Sequence, residues 1–84
     1  MTFDDWVRSK KSAISKVASQ RHETYEEVLA AMDYAWYNVQ ENVGQHFRTQ
    51  CPHFGDMEKD DPMFFKLGQS AFYHGKQNRV NSPD

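Results

Sequence analysis

Apolar residues recur along this chain at helical spacing. Turning by about 100° per residue puts Phe3, Trp6, Val7, Ala13, Ile14, Val17 and Ala18 on one side. Arg8, Lys11 and Ser15 fall on the other side, with Lys16 further round. The pattern predicts a first helix from about Phe3 to Ser19. Thr2 is placed to cap it, and Asp4 and Asp5 in its first turn complement the helix dipole. Lys10 is the exception, because it lands near the middle of the apolar stripe. It reads either as a lysine whose stem lies along apolar surface while its ammonium reaches water, or as an ion-pair partner for an acidic segment of this or another chain.

The pattern breaks at "SQRHETYEEV" and restarts with Thr24 and Glu27, spaced as a capping box. Val28, Met32, Trp36, Val39 and Val43 continue one stripe, flanked by Leu29 and Ala35, and Phe47 rejoins it beyond Gly44. A second helix of about 25 residues is expected, kinked or frayed near Gly44 and finished before Pro52. Residues 51–61, "CPHFGDMEKDD", read as an acidic loop punctuated by Pro52 and Gly55. A third helix follows, with Asp61 at the N-cap, Pro62 at the first helical position and Gly75 just past the end. Met63, Phe64, Phe65, Leu67, Ala71 and Phe72 cover more than half of its circumference, and Gly68 lies inside that arc, where a small residue permits close approach.

These elements predict an all-α fold: a small three-helix bundle with a long central helix, an acidic loop and a flexible C-terminal tail. Residues 1–75 form the single helical domain and 76–84 the tail. With 84 residues, roughly 60% of the unfolded surface can be buried, so packing has to be efficient. Cys51 is the only cysteine, which excludes an internal disulfide and suits a reducing, cytoplasmic setting. "MTFDDWVRSKK" has no apolar core of a secretory signal and no N-terminal glycine for myristoylation, and no run of residues approaches a membrane span.

Charge is unevenly spread. Residues 1–22 carry five basic and two acidic side chains, residues 23–61 two and nine, and residues 62–84 three and one. The net −2 is thus made of +3, −7 and +2. Such polarity favours either folding of the halves onto each other or association with another charged surface.

Few residues suggest chemistry. His46, Cys51, His53 and His74 are the best metal candidates, but they match no usual zinc-ligand spacing and offer one thiolate. Packed loop and core residues explain them more simply, so no metal and no cofactor is expected. Cys51 and His53 lack an arranged oxyanion hole for nucleophilic catalysis. Asp56, Glu58, Asp60 and Asp61 do not follow a calcium-loop pattern. The four glycines are isolated, so there is no phosphate-binding loop. No enzyme is expected.

"CPHF", the aromatic pair after it and "LGQSAFYHGK" are loosely similar to the ribosome modulation factor family, which has a Cys-Pro-aromatic turn before a Trp- and Gly-containing helix. The similarity covers Cys51 to Lys76, about a third of the chain, and would imply contact with ribosomal RNA. This chain departs from it with His53 at the aromatic position, an acidic insertion and an overall acidic balance.

One face of the second helix carries the functional question. Tyr34 and Tyr37, with Ala30, sit opposite Met32 and Val39 and are surrounded by Glu26, Glu27, Asp33 and Glu41, while Trp36 points into the apolar stripe. The tyrosines either pack on the third helix as a second layer or form an exposed patch. Tyrosine anchors ringed by charge are common in protein-binding hot spots, and the acidic rim suits a basic partner surface. The expected function is a small non-enzymatic regulator or inhibitor that binds another protein through Glu27, Tyr34, Tyr37 and Glu41. A phage or mobile-element origin, with a host or defence complex as target, is the setting commonest for such proteins and is not encoded in any residue. A homodimer is a second option. The alternative is a nucleic-acid- or ribosome-associated regulator using Arg8, Lys11 and Lys16. Against it, Glu26, Glu27 and Asp33 would repel phosphate if the second helix entered a groove.

Overall fold

A computed structural model describes residues 2–37, 47 and 51–80, with only the backbone of Pro52, His53, Arg79 and Val80. Its helices are α1 (Phe3–Ser9), α2 (Lys11–Arg21), α3 (Tyr25–Tyr37), α4 (Pro52–Gly55) and α5 (Pro62–Val80). The fold is all-α. The continuation of the second helix through Val39, Val43 and Gly44 lies outside the described residues.

The predicted first helix is two helices. Thr2 caps α1 as expected: its hydroxyl accepts from the Asp5 amide at 3.2 Å, and the Asp5 carboxylate accepts from the Thr2 amide at 3.3 Å. The break falls at Lys10, with φ −110° and ψ 12°, in the sparsely populated bridge region. Ser9 supplies a local cause. Its hydroxyl donates to the Trp6 carbonyl at 2.7 Å, in competition with the Lys10 amide, which divides itself between Trp6 and Val7. Ile14 then restores helical bonding to the Lys10 carbonyl at 2.8 Å, and α2 runs to Arg21.

His22 ends α2 in the left-handed conformation, φ 56°. The His22 and Glu23 amides donate back to Ser19 and Ala18, which is the bond pair of a Schellman motif. The chain then re-enters helix at Thr24, whose hydroxyl accepts from the Glu27 amide at 3.1 Å while the Glu27 carboxylate accepts from the Thr24 amide at 3.3 Å.

Arg21 ties this corner to the start of α5. It pairs with Glu23 at 2.6 Å and Asp61 at 3.0 Å, and its guanidinium lies 3.9 Å from the centre of the Phe64 ring. Burial opposes the Arg21 charge, but the hydrogen bonds it donates to Glu23 and Asp61 outweigh that and hold the pKa above the ordinary value. Asp61 also accepts from the Phe64 amide at 3.3 Å, confirming it as the cap of α5. The expected loop of residues 51–61 contains the short helix α4. Cys51 and Phe54 are buried around it, because an aromatic side chain two positions beyond Pro52 has core to fill.

α5 touches all four of the other helices described above, as its broad apolar arc requires. It does not stop at Gly75, which corrects the expected helix end: it continues to Val80, through the first residues assigned to the tail. Gly75 is buried against α3. A Cβ placed there would lie 2.2 Å from the Trp36 carbonyl oxygen, so glycine is required by contact and not by a turn. Gly68 serves a similar purpose elsewhere. A Cβ there would lie 2.3 Å from the Phe54 ring and 3.1 Å from Phe47.

The core divides into two regions. In one, Trp6 and Trp36 meet at 6.0 Å between rings, with Phe3 edge-on to Trp36 and His74 stacked on it. The Trp6 indole donates to the Ser70 hydroxyl at 3.2 Å, and His74 Nδ1 lies 2.9 Å from the Ser70 carbonyl. That contact requires the proton on Nδ1, since both a carbonyl and a bare ring nitrogen only accept. In the other region, Phe47 meets Phe54, Phe65 and Phe72 at 5.2 to 5.5 Å, and Phe54 stacks on Phe64 at 4.7 Å.

Candidate functional site

α3 turns one face inward. Val28, Met32, Ala35 and Trp36 are buried, and the pairing of Trp36 with Met32 is as the periodicity predicts. Tyr34 and Tyr37 are 53% and 54% exposed. They therefore form an outer face and not a second packed layer. Ala30, Glu26, Glu27 and Asp33 are also exposed. Positions 30, 34 and 37 follow i, i+4, i+7 spacing, which places them along one strip of helix surface.

Tyr37 is not a bare projection. Its ring stands 5.9 Å from Phe3, tilted by 57°, so the start of α1 supports one of the two tyrosines. Phe3 was legible as a core residue, but its role beneath Tyr37 was not, because the contact joins distant parts of the chain. Glu27 has a structural task as well, since its carboxylate caps the Thr24 amide. Glu41 lies outside the described residues. Of the four predicted protein-binding residues, the structure thus brings Tyr34 and Tyr37 together at the surface and places Glu27 at the start of the same helix.

Arg8, Lys11 and Lys16 are all exposed. The break at Lys10 separates Arg8, on α1, from Lys11 and Lys16, on α2. They do not share the single helix face that the sequence suggested.

The histidine and cysteine residues do not form a site that can be described. Cys51 is fully buried. His74 is held by Ser70 and stacked on Trp36. His46 lies outside the described residues, as does the side chain of His53. Among the described residues, no group of three or more His, Cys, Asp or Glu side chains is arranged to hold a metal, and no helix is long and apolar enough to cross a membrane.

The exposed face of α3 can therefore offer two phenol rings and surrounding carboxylates to a partner. The rings supply apolar area with little rotamer entropy to lose, and the hydroxyls supply hydrogen bonds. No family model matches this chain, and no curated protein or solved structure matches it significantly.

Proposed function

We propose that this chain is a small non-enzymatic regulator or inhibitor that binds another protein through the tyrosine and carboxylate face of α3. The observation that carries the reading is the exposure of Tyr34 and Tyr37 among Glu26, Glu27 and Asp33. A buried tyrosine layer would have left no such surface. The partner this face suits presents basic side chains, which the acidic rim would steer and orient. A phage- or mobile-element-encoded protein acting on a host or defence complex is the setting we attach to that activity.

The test is capture of a specific partner by the tagged chain, followed by affinity measurement with the purified pair. Tyr34→Ala removes an exposed ring and leaves the buried face of α3 intact. A loss of affinity of tenfold or more (about 1.4 kcal/mol) supports the reading if the variant keeps its helical circular dichroism. Unchanged affinity in both Tyr34→Ala and Tyr34→Ala/Tyr37→Ala removes this face as the binding surface.

The second reading is nucleic-acid binding through Arg8, Lys11 and Lys16, favoured by the exposure of all three. It requires binding to generic DNA or RNA that weakens with salt and disappears in Lys11→Glu/Lys16→Glu.

A further inference from the structure

Between α2 and α5 the surface dips into an open groove of about 230 Å³. Val17 and Leu67, both buried, form its base, and the half-buried Ala13 and Met63 flank them. Lys10, Lys66 and Ser70 also line it, the two lysines from opposite sides. This is where the lysine that interrupted the apolar stripe of the first helix is found. Among the described residues the ion pairs are those of Arg21, so neither lysine is matched by a carboxylate there. The flanking segments are also the two basic stretches of the chain, residues 1–22 and 62–84.

We propose that this groove docks an acidic peptide segment of a partner protein, seating one bulky apolar side chain between Lys10 and Lys66 with carboxylates on either side of it. Size decides the apolar part. A cavity of roughly 150 Å³ takes a benzene-sized group, and pockets for small-molecule ligands usually start near 300 Å³. The groove therefore has room for one Leu- to Phe-sized side chain. Charge decides the rest: two lysines lining an apolar groove select an apolar residue with acidic neighbours. A nucleic-acid backbone would use the lysines but leave Val17, Ala13, Met63 and Leu67 uncovered. The surface differs in position and in sign of charge from the tyrosine face, so it stands independently of the function proposed above.

The test uses the full chain, isotopically labelled, in a nuclear magnetic resonance titration. The probe is a short synthetic peptide with one phenylalanine between pairs of glutamates. Two control peptides carry alanine for the phenylalanine or lysines for the glutamates. The expected result is saturable amide shifts centred on Lys10, Ala13, Met63 and Lys66. Affinity should fall by about tenfold or more with either control peptide and with Lys66→Glu, and should be unchanged in Tyr34→Ala/Tyr37→Ala. Lys66 is exposed on α5, so its variant should fold, and Lys10→Gln is the second variant should it not. Absence of saturation at millimolar peptide, shifts that map elsewhere, or full affinity in both lysine variants would overturn the proposal.

Discussion

In one region of the core, two indoles, a phenylalanine and a histidine pack ring against ring, and Ser70 links Trp6 and His74 by hydrogen bonds. In the other, five phenylalanines meet with no polar atom among their side chains. Both regions rely on a glycine of α5, but differently. Gly68 makes room for aromatic rings, whereas Gly75 makes room for a backbone carbonyl. A ring can be trimmed or turned, but a carbonyl within a helix cannot move without moving the helix. The indole region is therefore specified by direction and backbone approach. The phenylalanine region is specified by shape, which substitution can re-create.

The sharpest test of that difference is Gly75→Ala. Alanine gains about 1 kcal/mol of helix propensity, but forcing a methyl against the Trp36 carbonyl should cost about 3 kcal/mol or more. A net loss of about 2 kcal/mol is expected in denaturant unfolding, lowering the thermal midpoint by roughly 10 °C. Shortening the neighbouring side chain with Trp36→Phe should not recover it. Recovery would show that the obstacle is the ring and would erase the distinction.

Ser70→Ala should follow in size. It leaves the fully buried Trp6 indole without its acceptor, at a cost of about 1 to 2 kcal/mol. The chain has two tryptophans, and both lie in the indole region, so their emission reports on that region alone. A shift in emission should accompany the loss of stability.

Gly68→Ala is expected to be milder, near 1 kcal/mol net, because overpacking of 1 to 3 kcal/mol is partly offset by propensity. Unlike Gly75→Ala it should be rescued by a partner change. In a double-mutant cycle with Phe54→Leu, the coupling should favour the pair by about 1 kcal/mol. Strict additivity would mean that the phenylalanine region is as unforgiving as the indole one.

The smallest effect is a pH dependence confined to the indole region. Hydrogen bonds from the Thr2 side chain and backbone hold the Asp5 carboxyl below its ordinary value of 3.8. A lowered folded-state pKa means that the unfolded chain binds the proton more readily. The stabilisation is thus complete above pH 3.8 and is lost as pH falls through the lower, folded-state value. Acidification through this window should loosen α1 and move tryptophan emission before the remaining helical signal is lost. Asp5→Asn should remove the early step. Simultaneous loss of both signals would mean that the regions melt as one.

Rules that act within a few residues of sequence were enough for much of this fold. Thr2, Thr24 and Asp61 were readable as caps because capping depends on the next three residues. Trp36 separated from Tyr34 and Tyr37 because helical periodicity is local. The exposure of the tyrosines was not readable, since it depends on which faces α5 covers. The break at Lys10 was hidden because a serine back-bond is optional in a helix. Gly75 was misread because glycine near the end of an apolar pattern signals a stop, and its true partner, Trp36, lies on another helix. Lys10 was visible as an anomaly, but the groove required Lys66 from α5 to give it meaning.

The two glycines of α5 also act together. Gly68 and Gly75 stand seven residues apart, about two helical turns, and each receives a different protrusion from the surrounding structure. The other glycines of the chain, Gly44 and Gly55, are not in α5. Sliding α5 by one residue, or by one turn, would therefore present side chains at both places at once. The pair works like two notches on a key: it fixes where along its length the helix can seat, independently of how much apolar surface the seating buries.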